Sequence, residues 1–331
     1  MSSEIILERG IGELRAARVE NGRIAELHIE RDGTGLRAGA IVEGRLTRIL
    51  LAEQRGIVSA GGEDALIEPL PRGVTEGAKL LVEVLREAIP EAGRAKLAKV
   101  RASEGPVREA PTLLDRLRAT NLLIREVSPA APDLLENAGW SEAVEEAATG
   151  VAAFNGGLLT ISPTPAMTVI DVDGALPPPE LAVAGAGAAA RAIRRFGLAG
   201  SIGIDLPTVG DKAVRQRAAE AIDAELPPPF ERTAVNGFGF VQIVRPRARP
   251  SIVELLQGDP AASAALALLR RGEREAGVGP RTLVAAPGII GWLEARPALT
   301  AELARRLGVA VGLRADPRLA ISASHVDVRP R

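Results

Sequence analysis

The chain has 331 residues, and its 41 Lys and Arg against 42 Asp and Glu leave a net charge of −1, which excludes a general attraction to nucleic acid. It has no cysteine and only two histidines, His28 and His325, which excludes disulfides, thiol catalysis and cysteine-based zinc sites and disfavours histidine-based sites. Aromatic residues make up 2% of the chain, so few side chains are suited to base stacking.

The first hundred residues are predicted to be rich in strands. Residues 13–19 and 23–29 alternate in polarity around Asn21 and Gly22, which predicts a hairpin. Between residues 36 and 101, five short strands separated by turns indicate a small closed barrel of the OB type. These five strands are predicted at residues 40–51, 55–60, 64–68, 79–88 and 96–100.

Basic residues accompany the predicted barrel. They include Arg45, Arg48, Arg94 and Lys96. OB barrels often bind nucleic acid in a basic groove, but solvated strand faces carry the same residues. Both interpretations stay open at this point.

The middle of the chain changes from a helical connector to alternating strands and helices. Residues 102–150 are polar and contain two short helical patterns. In residues 151–250, predicted strands and helices alternate in the order of a βαβ unit. Within the second stretch we predict strands at residues 156–161, 168–173 and 201–206 and a strand pair within 231–244. We also predict a buried helix over the alanine-rich run 181–193, ending at Phe196, and a second helix at 212–225. Residues 251–331 are predicted to form a smaller α/β unit, with a final strand at 319–327.

Two of these strands end in acid. Asp171 and Asp173 are two residues apart, so on a strand their side chains face the same way, and Asp205 ends the strand that is expected to lie alongside. Three converging carboxylates suit a hard divalent cation such as Mg²⁺ or Mn²⁺. The alternative is that these are ordinary surface aspartates at the ends of strands.

An arginine-rich segment follows the second acidic strand. Arg245, Arg247 and Arg249 alternate with Pro246, Ala248 and Pro250. Proline keeps this backbone extended, so the guanidinium groups are expected along one side, where they suit phosphate. A solvated linker explains the same composition equally simply.

Five segments, in this order, resemble the RNase E/G family of bacterial endoribonucleases. They are residues 12–19 with 27–30, 44–49, 156–157 leading to 166–173, 202–205, and 245–247 with 250–252. The resemblance implies an α/β (α+β) fold: an RNase H-like or DNase I-like catalytic core with an inserted S1-type OB β-barrel and a small C-terminal α/β domain. The implied segments are a core hairpin (1–35), the S1-type barrel (36–101), a reduced helical connector (102–150), the catalytic core (151–250) and the C-terminal domain (251–331).

The resemblance also implies chemistry. Asp171 and Asp205 correspond to the two catalytic, Mg²⁺-binding aspartates, and Asp173 stands where the family usually has an Asn, as a third ligand directly or through water. Mg²⁺, or Mn²⁺ in its place, activates a water that hydrolyses a phosphodiester of single-stranded RNA and leaves a 5′-phosphate. The implied RNA-binding residues are Arg45, Arg48, Arg94, Lys96, Arg245 and Arg247, with Ile57 and Ile67 at the positions of the family's stacking aromatics.

The chain also departs from the family. Without cysteine the zinc link and its tetramer are excluded, and most of the domain that senses a 5′-monophosphate is missing. A basic residue of the family's core is replaced near Gly237. Three hypotheses remain. The first is a Mg²⁺-dependent endoribonuclease that acts on ribosomal RNA precursors or messenger RNA. The second is an RNA-binding, ribosome-associated protein on the same scaffold with weak or no catalysis, and the third is a structural protein whose aspartates only cap turns.

The location of the protein is predicted from absences in the sequence. No segment has the pattern of a signal peptide, and no stretch of 18 or more apolar residues is free of charge. The lack of cysteine fits a reducing compartment. We therefore expect a cytoplasmic protein without membrane contact, in an oligomeric state that the sequence leaves open.

Overall fold

The computed structural model describes residues 3–33, 35–91, 95–129 and 131–329 and has a mixed α+β fold. The strands are β1 (Ser3–Arg9), β2 (Glu13–Glu20), β3 (Arg23–Arg31), β4 (Ile41–Leu51), β5 (Arg55–Ala60), β6 (Glu63–Ile67), β7 (Lys79–Arg86), β8 (Ala98–Ala102), β9 (Leu123–Val127), β10 (Val151–Phe154), β11 (Gly157–Pro163), β12 (Thr168–Gly174), β13 (Gly200–Asp205), β14 (Glu231–Arg232), β15 (Phe240–Arg245), β16 (Arg281–Ala285), β17 (Val311–Ala315) and β18 (His325–Val328). The helices are α1 (Leu113–Arg118), α2 (Leu134–Asn137), α3 (Trp140–Thr149), α4 (Pro178–Arg195), α5 (Lys212–Glu225), α6 (Ile252–Gly258), α7 (Pro260–Arg274), α8 (Pro287–Glu294) and α9 (Pro297–Leu307).

Among the described residues, no single helix is both long enough and apolar enough to cross a bilayer. The consecutive helices α6 and α7 are together long and apolar enough, but the chain bends by 98° between them.

The chain divides into two compact units that are not continuous in sequence. The first comprises Met1–Asp32, Leu122–Ser141 and Asp259–Arg331. The second comprises Gly33–Asn121 and Glu142–Gly258. The predicted connector at residues 102–150 is therefore divided between the units, and the start and the end of the chain belong to one of them.

The first unit holds two small sheets. Strands β3, β2, β1 and β9 form one sheet in that order, with β9 parallel to β1. The predicted hairpin connects β2 to β3, and both residues of its turn, Asn21 and Gly22, have positive φ angles of 51° and 78°. Strands β17, β16 and β18 form the other sheet. Apolar residues of α7, α8 and α9 form a core with this sheet, including Leu266, Leu293 and Leu303.

A buried ion cluster lies inside the first unit. The Arg15 guanidinium donates to both carboxylate oxygens of Glu8, at 3.1 and 3.0 Å, and to Asp133 at 2.7 Å. It lies 5.0 Å from the ring centre of Trp140, and Arg274 also pairs with Glu8 and Asp133. Buried charges are tolerated when they are paired in this way, so the cluster is a structural connection between β1, β2, the start of α2 and α7.

The second unit contains the predicted barrel. Strands β4, β5, β6, β8 and β7 form a closed five-stranded barrel in that order. Its interior is filled by aliphatic side chains, among them Leu46, Val58, Val82 and Val100. Gly44 is needed where β4 meets β5, because a Cβ atom there would lie 2.4 Å from Val58 Cγ1. The barrel expected from the strand spacing is confirmed.

The second unit also contains a six-stranded sheet. Its order is β10, β11, β12, β13, β15 and β14, and only β12 and β13 are parallel to each other. The alanine-rich helix α4 covers one face, as its buried character predicted. A Cβ atom at Gly185 would lie 2.3 Å from Val172 Cγ1, so the helix backbone approaches β12 closely. The small residues of α4 therefore set the distance between helix and sheet.

Some predicted boundaries differ from the structure. Strands β1, β9 and β10 were not predicted, although β1 pairs with the next strand, β2, and β10 pairs with the next strand, β11. Only the pairing of β1 with β9 joins segments that are far apart in the chain. The last predicted strand, at residues 319–327, starts only at His325. Residues before it form turns, in which Leu319 donates to the Asp316 carbonyl and Ala323 donates to the Ala320 carbonyl.

Candidate active site

The two acidic strands lie side by side in the sheet. In the parallel pair of β12 and β13, Asp171 is the register partner of Asp205. Neighbouring strands are separated by about 4.8 Å, so the two side chains leave the sheet next to each other. Asp173 lies two residues further along β12 and therefore on the same face. The predicted convergence of the two strand ends is thus present in the backbone register.

The residues between the acids determine which face they occupy. Ile170 and Val172 on β12, and Ile202 and Ile204 on β13, are buried towards the face covered by α4. Because side chains alternate along a strand, the aspartates are turned to the opposite, open face. All three are exposed. The three acids are therefore exposed although the strands that carry them have buried interiors, at Ile170 and Val172 on β12 and at residues 202–204 on β13.

A row of side chains crosses this open face. Thr160 on β11 is paired with Asp171, Asp171 with Asp205, and Asp205 with Phe240 on β15. The sequence interpretation did not single out Thr160 or Phe240. Neither belongs to a chemical motif, and only the pairing of the strands brings them beside the acids.

The acids influence one another electrostatically. The pKa of Asp171 is raised, first by partial desolvation and then by the negative charges of Asp173 and Asp205. A side-chain hydrogen bond with Asp173 raises it further, and the backbone N–H of Val172 opposes the shift. None of the three carboxylates forms a salt bridge with a described Lys, Arg or His. Three like charges without a countercation attract a cation to this point of the surface.

The acidic strand ends offer carboxylate oxygens, which are the donors that Mg²⁺ binds. No group of three or more His, Cys, Asp or Glu among the described residues is arranged as a preformed metal site. Mg²⁺ usually keeps several waters and binds through one or two carboxylates together with substrate phosphates. Asp171 and Asp205 could supply those two carboxylates, with Asp173 acting beside them. His28 and His325 belong to the first unit, so no imidazole of the second unit competes for this role.

The predicted basic residues of the barrel differ in their availability. Arg45 and Arg48 are exposed on β4, and the Arg45 guanidinium donates to the Gly77 carbonyl at 2.9 Å. Arg94 lies outside the described residues. Lys96 Nζ binds Glu91 at 3.1 Å and the Pro165 carbonyl at 3.2 Å, directly before β12. Lys96 thus connects the barrel with the loop that leads into the acidic strand.

The arginine-rich segment is folded into the protein rather than solvated. Arg245 donates to the Leu198 carbonyl at 3.0 Å, and Arg247 pairs with Glu254. Arg249 pairs with Glu87 at 3.1 Å. The solvated-linker alternative is therefore wrong. The phosphate-binding prediction for Arg245 and Arg247 is not supported either, because their guanidinium groups already bind groups of the protein.

Ile57 and Ile67 are not available for contact with a ligand. Ile57 is 5% exposed and Ile67 is 0% exposed, and Ile67 belongs to the barrel core. The prediction that these side chains contact RNA is corrected, because an isoleucine at either position is turned into the protein. Exposed aliphatic side chains lie elsewhere on the barrel, at Leu50, Leu51 and Leu97.

Comparison with known proteins adds no relative. No protein-family model matches the chain, and no curated protein is similar to it. A functional conclusion for this chain therefore depends on its own residues and their geometry.

Proposed function

We propose that the chain is a Mg²⁺-dependent endoribonuclease that hydrolyses phosphodiester bonds of single-stranded RNA, in the manner of the RNase E/G family that its motifs resemble. The observation that carries the proposal is the pairing of Asp171 with Asp205 across two parallel strands, on an open face and without a countercation. A bound Mg²⁺ would supply an activated water and would neutralise charge on the phosphate in the transition state.

The residues of the chain have separate roles in this proposal. Asp171 and Asp205 hold the ion from adjacent strands, and Asp173, two residues further along β12 on the same face, serves as a third ligand, directly or through water. An extended RNA strand would lie along the face that carries the row from Thr160 to Phe240. The barrel, which we interpret as an S1-type OB module inserted into an RNase H-like core, offers Arg45 and Arg48 to the RNA backbone.

The cleavage experiment compares the parent with Asp171→Asn, Asp205→Asn and the control Asp64→Asn. Asp64 is an exposed aspartate on β6 and belongs to the same unit. With labelled single-stranded RNA and Mg²⁺, the parent and the control are expected to cut, leaving a 5′-phosphate on the downstream product. Each site variant should lose about a hundredfold or more in rate, because it removes a metal-holding carboxylate. EDTA should abolish all cutting.

Equal cutting by the parent and both site variants contradicts the assignment of the acids. Such a result in EDTA as well would point to a contaminating nuclease.

A second candidate function is an RNA-binding, ribosome-associated protein without catalysis. It is favoured by the burial of Ile57 and Ile67 and by the internal pairing of Arg247, since both leave fewer groups for holding RNA over the acids. It predicts salt-sensitive RNA binding, no metal-dependent cutting, and no response to replacement of Asp171 or Asp205.

A further inference from the structure

One aromatic side chain stands out by its exposure. The chain has seven Phe and Trp residues and no Tyr. Phe238 is 81% exposed, whereas the other six, all within the described ranges, are buried or half-buried. Phe238 is thus the one aromatic side chain among the described residues that is mostly exposed to solvent.

The turn that carries Phe238 is held from within. The side-chain oxygen of Asn236 accepts hydrogen bonds from the backbone N–H groups of Phe238, at 2.9 Å, and Phe240, at 3.0 Å. The N–H of Gly239 donates to the Asn236 carbonyl at 3.2 Å. These bonds fix the backbone on both sides of Phe238, so its ring is presented from a rigid position.

The same turn is bound to the segment that follows Asp205. The Thr208 hydroxyl donates to the Phe238 carbonyl at 3.0 Å, and the N–H of Leu206 donates to the Gly239 carbonyl at 3.2 Å. Gly239 has a φ of +92°, and a Cβ atom there would lie 2.1 Å from the Leu206 carbonyl oxygen. Only glycine allows this close approach. The turn around Phe238 is therefore held directly against the segment that follows Asp205.

The turn that carries Phe238 is close to Asp205 because β13 and β15 are paired in the sheet. Phe240 is the sheet partner of Asp205, and Phe238 precedes it by two residues, which span at most about 7 Å. The Phe238 backbone thus lies within about 12 Å of the Asp205 backbone. Gly237, next to Phe238, is also in open space, since a Cβ atom there would have no neighbour within 4 Å outside the adjoining residues.

We propose that Phe238 is a stacking platform for a nucleobase of single-stranded RNA, near the phosphate that a divalent cation at Asp171 and Asp205 would hold. Aromatic rings bind bases by stacking with little dependence on sequence. The barrel offers no such ring, because Ile57 and Ile67 are aliphatic and buried. This inference rests on the proposed function for the identity of the ligand, and it adds the residue that holds the base beside the scissile bond.

The test measures binding rather than cutting. A short fluorescent single-stranded RNA is titrated in EDTA with the full-length parent, Phe238→Ala, Phe238→Trp and the control Val244→Ala. Val244 is an exposed apolar residue on β15, the strand that follows the turn. Phe238→Ala is expected to weaken binding about tenfold, as loss of one stacked base does. Phe238→Trp and Val244→Ala should bind as the parent does.

A second series of RNAs identifies the stacked base. Each RNA carries one abasic nucleotide, at a different position. In the parent, one abasic position should weaken binding, and in Phe238→Ala that loss should disappear because the stacking partner is already gone. Equal affinity of Phe238→Ala and the parent, an unchanged abasic penalty, or no RNA binding at all overturns the inference.

These outcomes are separate from those of the cleavage experiment. If the chain binds RNA through Phe238 but does not cut, the platform stands and the nuclease proposal fails. If it cuts but Phe238→Ala binds normally, only the platform fails.

Discussion

The Asp171 carboxyl is the group whose chemistry depends most on its neighbours. Its pKa is raised by partial desolvation and by the charges of Asp173 and Asp205. An acid with a raised folded-state pKa destabilises the fold once it ionises, and this effect is relieved as the pH falls through that pKa. A cation bound between the acids relieves it equally well. The repulsion therefore favours binding of a divalent ion.

Replacing Asp173 with Asn is expected to shift the loss of cleavage activity in acidic buffer to lower pH. The change removes one negative charge that raises the pKa of Asp171, so Asp171 stays ionised, and able to hold Mg²⁺, in more acidic buffer. The measurement is the cleavage rate against pH for the parent and Asp173→Asn, with Asp64→Asn as the control.

The cleavage rate of Asp173→Asn at neutral pH should stay close to that of the parent, since Asp171 and Asp205 remain and the amide oxygen of Asn can also serve as a ligand. A loss of activity that stays at the same pH, or that moves to higher pH, contradicts the electrostatic coupling of the two acids.

The contact between α4 and β12 is the element-scale feature that supports the acids. Val172, which lies between Asp171 and Asp173, is in contact with the helix where Gly185 leaves room for it. Protein interiors are closely packed, so a displacement of Val172 is passed on along the strand. The position of α4 therefore contributes to the position of both carboxylates.

Two glycines of α4 provide a matched pair for testing this contact. In Gly185→Ala the new methyl would lie 2.3 Å from Val172 Cγ1, and overpacking of this kind typically costs about 1–3 kcal/mol. In Gly187→Ala the nearest atom is 3.5 Å away, so the higher helix propensity of alanine should raise the free energy of unfolding by up to about 1 kcal/mol. Urea unfolding of both variants measures the difference.

Gly185→Ala should also lower the cleavage rate, whereas Gly187→Ala should not. If both variants are equally stable, the close approach of helix and strand does not support the site.

Much of the fold at this scale follows from local pattern. The runs of Val and Ile before Asp171 and Asp205 predicted both acidic strands, and the alanine-rich run predicted a buried helix. The local pattern could not show that β1 pairs with β9, because these two strands are more than a hundred residues apart in the chain. Pairing across such a distance is decided by packing rather than by local propensity.

Within the second unit, the barrel and the acidic sheet are fastened together. Glu87 at the end of the β7 segment pairs with Arg249, and its N–H donates to the Ala248 carbonyl at 2.9 Å. Lys96 adds its contact with the Pro165 carbonyl. Of these cations, Lys96 is one that the family resemblance assigned to RNA, and both contacts join the barrel to the sheet near the start of β12 and the end of β15.

The same contacts explain why the site was only partly predictable. The acids were identified because their spacing and neighbours are local. The partners of Arg247 and Arg249 are glutamates that nothing in the sequence marks as partners, and the burial of Ile57 and Ile67 follows from how the barrel closes. Phe238 was overlooked because its exposure depends on a turn fixed by Thr208 and Leu206.

The most direct test of the central claim, that Asp171 and Asp205 together hold a divalent cation, is a titration with Mn²⁺ followed by electron paramagnetic resonance. The parent and Asp64→Asn are expected to bind roughly one ion per chain, displaced by Mg²⁺. Asp171→Asn and Asp205→Asn should each lose about ten- to a hundredfold in affinity. Undiminished Mn²⁺ binding by both site variants would contradict the claim, whatever the protein does to RNA.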